Sequence, residues 1–139
     1  MKESWIFRRG DLYLADLGKS SSSKYTGVRP VILIQNNIGN CHCETVTVIP
    51  LVACGTKWKR HPTHYIIRKV KGLRGSFIVP CEQIYTCDKT CMIRYLGRVT
   101  KSQLHGIDGA VKIQLGYIAT EICSRKGRQQ KNQYISGSN

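Results

Sequence analysis

Apolar residues along the first half of the chain recur with the period of two that marks a strand lying half in a core. Gly10–Leu17 reads as a strand, with Leu12 and Leu14 on one face and Tyr13 and Ala15 on the other. A polar, serine-rich loop follows over residues 18–26, and then a continuous apolar run, Val31–Ile34, that suits a buried central strand. Pro30 disfavours helix at the residue before it, so Gly27–Asn36 reads as a turn delivering Arg29 to the mouth of that strand. Asn36–Asn40 is a turn by content. Thr45–Val52 alternates hydroxyl and valine as a third strand until Pro50, which implies an edge or a bulge. Pro62–Ile67 and Gly75–Tyr85 add strands, and short strands joined by long loops predict a small barrel.

The period changes near the C-terminus. Thr100-Lys101-Ser102-Gln103 has the form of a capping box, and Leu104, Ile107, Val111 and Leu115 then recur at helical spacing. Gly106 and Gly109 weaken this helix by about 1 kcal/mol each relative to alanine, so its apolar stripe is expected to dock on the sheet. The pattern predicts a mainly β fold with a C-terminal helix, as one domain over residues 1–122. A basic tail, 123–139, has little to bury and is expected to be disordered.

Composition adds a partner class. The 139 residues are 41% hydrophobic, enough for one core, and 22 Lys and Arg against 8 Asp and Glu leave a net charge of +14. That excess does not depend on the tail, and it points to RNA, DNA or an acidic protein, the alternative being a basic surface that serves solubility alone. No run approaches the roughly 18 apolar residues of a membrane span, and the first nine residues lack the apolar core of a signal peptide. A cytoplasmic protein is expected. Its seven cysteines are odd in number and read as reduced thiols. Cys41-His42-Cys43 and Cys87-Asp88-Lys89-Thr90-Cys91 lack the paired spacing of structural zinc sites, so neither metal nor cofactor is expected.

Two stretches carry candidate binding chemistry. Lys57-Trp58-Lys59-Arg60-His61 interleaves cations with an aromatic ring, which suits single-stranded nucleic acid; a solvated hairpin with Trp58 folded onto the core is the other reading. Ser23, Lys24 and Tyr25 in the serine-rich loop either cover a bound strand or belong to a plain linker. Arg29, by position, is either a structural clamp or a catalytic group.

Taken together, Arg8–Leu17, Gly27-Val28-Arg29-Pro30-Val31 with Ile34-Gln35-Asn36 and Gly39-Asn40, Pro62-Thr63-His64, and Cys81-Glu82-Gln83-Ile84 with Thr86 and Asp88 resemble the MazF/PemK family of bacterial toxins over roughly residues 8–117. The resemblance implies an SH3-like barrel of the PemK and CcdB type, usually a homodimer, that cuts single-stranded mRNA at short sequences and is silenced by an acidic antitoxin. It also implies metal-independent chemistry, in which a ribose 2′-hydroxyl attacks its own phosphodiester and leaves 2′,3′-cyclic phosphate and 5′-hydroxyl ends. Arg29 matches the family's catalytic arginine, suited to gripping charge on phosphorus.

The chain departs from that family at Val52, where a catalytic threonine is common. A lost donor of this kind typically costs about a hundredfold in rate, so the departure implies a weakened nuclease, a nuclease whose proton transfer has moved, or a binder that no longer cuts. If proton transfer moved, Thr56 is the nearest hydroxyl, and His61 and His64 titrate in the useful range. His64 belongs to the matched segment and reads as structural, leaving His61 as the better placed acid or base. Tyr85 stands where many relatives carry arginine and would exchange a phosphate contact for base stacking, while Gln83 would read a base edge or bond within the barrel. The alternative to the nuclease is a non-catalytic module of the same fold that binds RNA or an antitoxin, or poisons a protein target as CcdB does gyrase.

Overall fold

The alternation over residues 10–17 becomes strand β1 (Asp11–Asp16), which pairs antiparallel with β2 (Val28–Leu33) on one side and β8 (Met92–Arg98) on the other. β2 pairs with β3 (Thr45–Pro50) and β3 with β7 (Tyr85–Asp88), giving an antiparallel sheet ordered β7-β3-β2-β1-β8. A second antiparallel sheet sets β6 (Phe77–Pro80) between β4 (Val52–Ala53) and β5 (His64–Ile67). Helices α1 (Asn37–His42) and α2 (Lys101–Gln114) complete the expected mainly β fold with its C-terminal helix. The computed structural model describes residues 6–19, 25–56 and 59–119; Ser23, Lys24, Lys57, Trp58 and the tail 123–139 lie outside the described residues.

Successive side chains of a strand point to opposite faces, so β1 and β2 feed two cores. Leu12 and Ile32 join Ile49, Leu51, Ile67, Val79, Ile107 and Ala110 between the two sheets and α2. Tyr13, Ala15, Val31 and Leu33 join Phe7, Val46, Val48 and Met92 on the other face of the large sheet. Burial on both faces accounts for the unbroken apolar run at Val31–Leu33.

Pro50 does not place β3 at an edge. The Ile34 N–H bonds the Thr47 carbonyl and the Leu51 N–H bonds the Pro30 carbonyl, so odd-numbered residues of this segment face β2. The N–H that Pro50 lacks would therefore point toward β7, past the last paired residue there, Val48 opposite Tyr85. Two residues later the chain enters the second sheet as β4. The corner at Leu51 thus joins the two sheets with one continuous segment.

Three elements differ from the sequence reading. Asn36–Asn40 is not a turn but the start of α1, because the Asn36 side chain accepts the Gly39 N–H at 2.8 Å as an N-cap. The single strand expected over Gly75–Tyr85 is divided by a turn in which the Gln83 N–H bonds the Pro80 carbonyl, so its two parts join different sheets. Strand β8 was not anticipated at all. In α2 the capping box forms between Thr100 and Gln103, and Leu104, Ile107 and Val111 pack inward, but Leu115 lies past the helix and is 56% exposed.

Two ion pairs tie the N-terminal segment down. Arg9 grips the Asp108 carboxylate of α2 with both terminal nitrogens while its Nε donates to the Ile34 carbonyl at 2.9 Å. Buried Asp11 accepts from Arg98 of β8 at 2.7 Å.

The two helix glycines have different reasons to exist. A Cβ on Gly106 would stand 2.1 Å from the Tyr65 ring, whereas one on Gly109 would meet nothing within 4 Å. Gly106→Ala should therefore destabilise by about 1–3 kcal/mol through overpacking, despite its better helix propensity. Gly109→Ala should stabilise by up to about 1 kcal/mol. Urea unfolding of the two variants measures both signs.

Candidate active site

Arg29 is delivered by a loop pinched at its base. Gly18 and Gly27 both adopt positive φ, 70° and 75°, a conformation that disfavours other residues. Their backbones close the loop, with the Gly27 N–H on the Gly18 carbonyl at 2.8 Å and the Leu17 N–H on the Gly27 carbonyl at 2.9 Å. Arg29 follows at once, half-buried at the start of β2. Its Nε donates to the Thr26 carbonyl at 3.2 Å and its guanidinium lies 5.4 Å from the centre of the Tyr25 ring. Among the described residues nothing takes its two terminal nitrogens. The β2–β3 register ends with Val31 opposite Pro50, and the Leu51 N–H on the Pro30 carbonyl is the last bond between the two segments before Val52 enters β4.

A second group of polar side chains gathers where β5 and β6 begin and end. The His64 N–H bonds the His61 carbonyl at 3.0 Å, closing a turn with Pro62 at its second position, where the fixed φ of proline is pre-set. The Cys81 N–H bonds the Thr63 carbonyl at 2.9 Å, so the Pro62-Thr63-His64 and Cys81-Glu82-Gln83 segments lie side by side. Glu82 then accepts from the Thr63 hydroxyl at 2.9 Å and meets His64 Nε2 at 2.8 Å. His61 Nδ1 lies 2.8 Å from Thr63 Oγ1, and the two imidazole rings are 4.6 Å apart and tilted by 31°.

The charges of this group and of the Arg29 loop feel one another. Burial pushes the Glu82 carboxyl up, but hydrogen bonds from His64, its own backbone and Thr63, with the His64 charge, bring it below its ordinary value. The Tyr25 phenol is raised, first by burial and then by the Glu82 charge, with Arg29 pulling the other way. Arg29 with Tyr25 forms one group and His61, Thr63 and His64 around Glu82 a second, and the Glu82 charge acts on the Tyr25 phenol between them.

Other candidates take separate positions. Lys59 and Arg60 are exposed beside His61, and Thr56 is exposed in the loop after β4. Gln83 is half-buried in the turn after β6, and Tyr85 packs part of its ring on the second core. Glu82 and Thr63 are the functional candidates that the sequence reading passed over, although both stand in its matched segments. A cleft of about 490 Å³ lined by Cys43, Glu44, Asp88, Lys89 and Thr90 lies at the other end of β3, and its two carboxylates make it unsuited to a polyanion. Among the described residues no three His, Cys, Asp or Glu side chains are placed to hold a metal ion, and no helix is long and apolar enough to cross a membrane.

A family model described as PemK-like, MazF-like toxin of type II toxin–antitoxin systems matches residues 8–115. The chain belongs to this family. Among PemK/MazF relatives it is 38% identical over 112 residues to the endoribonuclease MazF of Staphylococcus epidermidis, an alignment covering 80% of this chain and 92% of the relative. A solved endoribonuclease in complex with its cognate antitoxin from a mycobacterial species superposes with a TM-score of 0.66 at 26% identity, over 81% of this chain and 98% of that one. MazF of Deinococcus radiodurans superposes with a TM-score of 0.69 at 15% identity, over 81% and 99% of the two chains, and so shares the fold. In this PemK/MazF chain, the matched region spans Arg29 and every member of the Glu82 cluster.

Because Glu82 titrates lower in the folded protein than in the unfolded chain, its ionised form stabilises the fold above the unfolded value, near 4.3, and that contribution disappears as pH falls through the folded one. Glu82→Gln should lower the melting temperature at pH 7, with the gap to wild type closing toward pH 3. A gap independent of pH would contradict the assignment.

Proposed function

We propose that the chain is the toxin of a bacterial type II toxin–antitoxin system, working in the cytoplasm as a sequence-specific, metal-independent endoribonuclease on single-stranded mRNA. The observation that carries this reading is the Arg29 fork, fixed through Nε and met by no described residue at its terminal nitrogens, in a family whose Staphylococcus epidermidis member is named an endoribonuclease. The net charge of +14 supports a phosphate-bearing substrate. In this reading the ribose 2′-oxygen loses its proton and attacks the adjacent phosphorus. The P–O5′ bond breaks, the 5′-oxygen is protonated, and the products carry 2′,3′-cyclic phosphate and 5′-hydroxyl ends. Arg29 stabilises the extra negative charge on the five-coordinate phosphorus. Tyr25, Lys59 and Arg60 border the path of the strand. The partners are an acidic antitoxin, as the antitoxin-bound mycobacterial structure suggests, and a second copy of the chain.

Val52 favours a second reading, a module of this fold that binds RNA, an antitoxin or a protein target without cutting, because valine brings no proton donor to the position where the family commonly carries threonine. The two readings part on one assay. Long single-stranded RNA incubated in EDTA should be cut at discrete sites by wild type, with cyclic-phosphate and 5′-hydroxyl ends, and at least about 100-fold more slowly by Arg29→Ala. Intact RNA with wild type, or equal cutting by the variant, refutes the nuclease reading.

A further inference from the structure

We propose that His61 is the acid–base residue of this site, its Nε2 taking the proton of the ribose 2′-hydroxyl while Thr63 and Glu82 hold the ring; this rests on the endoribonuclease reading above. Proton transfer needs a group able to hold a proton transiently near Arg29, and the other candidates are poorly suited to it. Val52 has no polar atom. The Tyr25 phenol holds its proton more tightly than an ordinary tyrosine. The Glu82 oxygens are both engaged, Oε1 by Thr63 and Oε2 by His64. His61 is exposed, and its ring is held through one nitrogen only.

In the proposed role the hydrogen-bond relay holds the tautomer that a base requires. An ionised carboxylate can only accept, so the Thr63 hydroxyl hydrogen lies on Glu82 Oε1, 2.9 Å away. Oγ1 then presents a lone pair to His61, and the 2.8 Å contact forms only if Nδ1 carries the hydrogen. That leaves the Nε2 lone pair facing solvent. The Thr63 backbone N–H also points at Nδ1, from 3.2 Å, and favours the opposite tautomer. The Oγ1 contact is the shorter and ends on a charge, and the proposed role takes Nδ1 as its donor, which the nitrogen-15 spectrum below tests. The same Nδ1–H bond persists when Nε2 is protonated, so the ring keeps its orientation through the proton cycle, as an imidazole acting as a base requires.

The step balances with water as the only other participant. The 2′-hydroxyl proton moves to Nε2, O2′ bonds to phosphorus, the P–O5′ bond breaks, and the 5′-oxygen takes a proton from water. The imidazolium then returns its proton to solvent. The charged and titratable groups around His61 are Lys59 and Arg60 in its own loop, His64 beneath its ring and Glu82 through Thr63, with Tyr25 and Arg29 beyond that carboxylate.

Single-turnover cleavage of single-stranded RNA in EDTA between pH 5 and 9 tests the proposal together with a nitrogen-15 spectrum of the histidine rings. Wild type should speed up with pH through one ionisation in the histidine range. His61→Asn, which keeps a donor toward Thr63, should cut about 100-fold more slowly or worse, without that pH limb, and bind RNA as before. Thr63→Ser should retain the profile, whereas Thr63→Val should move the limb to lower pH, since the imidazolium loses its acceptor. The spectrum should show neutral His61 protonated at Nδ1. Wild-type rate and limb in His61→Asn, or His61 protonated at Nε2, would overturn the role of His61 and leave the nuclease standing. Intact RNA with wild type would overturn the nuclease and this role together.

Discussion

At Leu51 one stretch of backbone leaves the five-stranded sheet and enters the three-stranded one, and the position of Pro50 makes this corner possible. An interior strand tolerates proline only where no partner needs its N–H, and β7 has already ended its pairing when β3 reaches Pro50. The Leu51 N–H on the Pro30 carbonyl holds the last rung, and beyond it β4 turns away to pair with β6. Leu51 itself, 2% exposed, lies in the core between the sheets. The corner brings the start of β2, and so Arg29, to the same end of the molecule as the close of β6 and the opening of β5.

Glu82 is the electrostatic hub of that end. Its carboxylate receives Thr63 and His64, adds to the burial that raises the Tyr25 phenol and, through Thr63, orients His61. A lone carboxylate in a strongly basic protein that works on phosphates would repel its substrate if it faced outward. Here both oxygens are bonded inward, so the negative charge organises the site while the exposed cations Lys59 and Arg60 meet the solvent. Two adjacent strand ends thus build a polar relay around Glu82.

What could be read in advance depended on whether the signal was local. The alternation in Asp11–Asp16, the capping box at Thr100 and the delivery of Arg29 by Gly27 and Pro30 are encoded within a few residues, and each appears in the structure. Strand β8, Met-Ile-Arg-Tyr-Leu-Gly-Arg, is charged and half-exposed, and it becomes a strand by pairing with β1 through two register shifts. Helix α1 has poor intrinsic helix formers and depends on the Asn36 cap. The link from His61 to Glu82 was hidden for a similar reason. Thr63 and Glu82 are 19 positions apart in sequence and meet only because the register sets Thr63 beside Cys81.

The central claim is that Arg29 and the Glu82 cluster are one phosphate site. Its most direct test is to titrate a single-stranded RNA blocked by 2′-O-methylation into isotope-labelled full-length protein and follow the side-chain nitrogens. The account predicts that the Arg29 Nε–H and the His61 ring shift together, along one binding curve. Shifts confined to the Cys43–Thr90 cleft, with Arg29 unmoved, would contradict it.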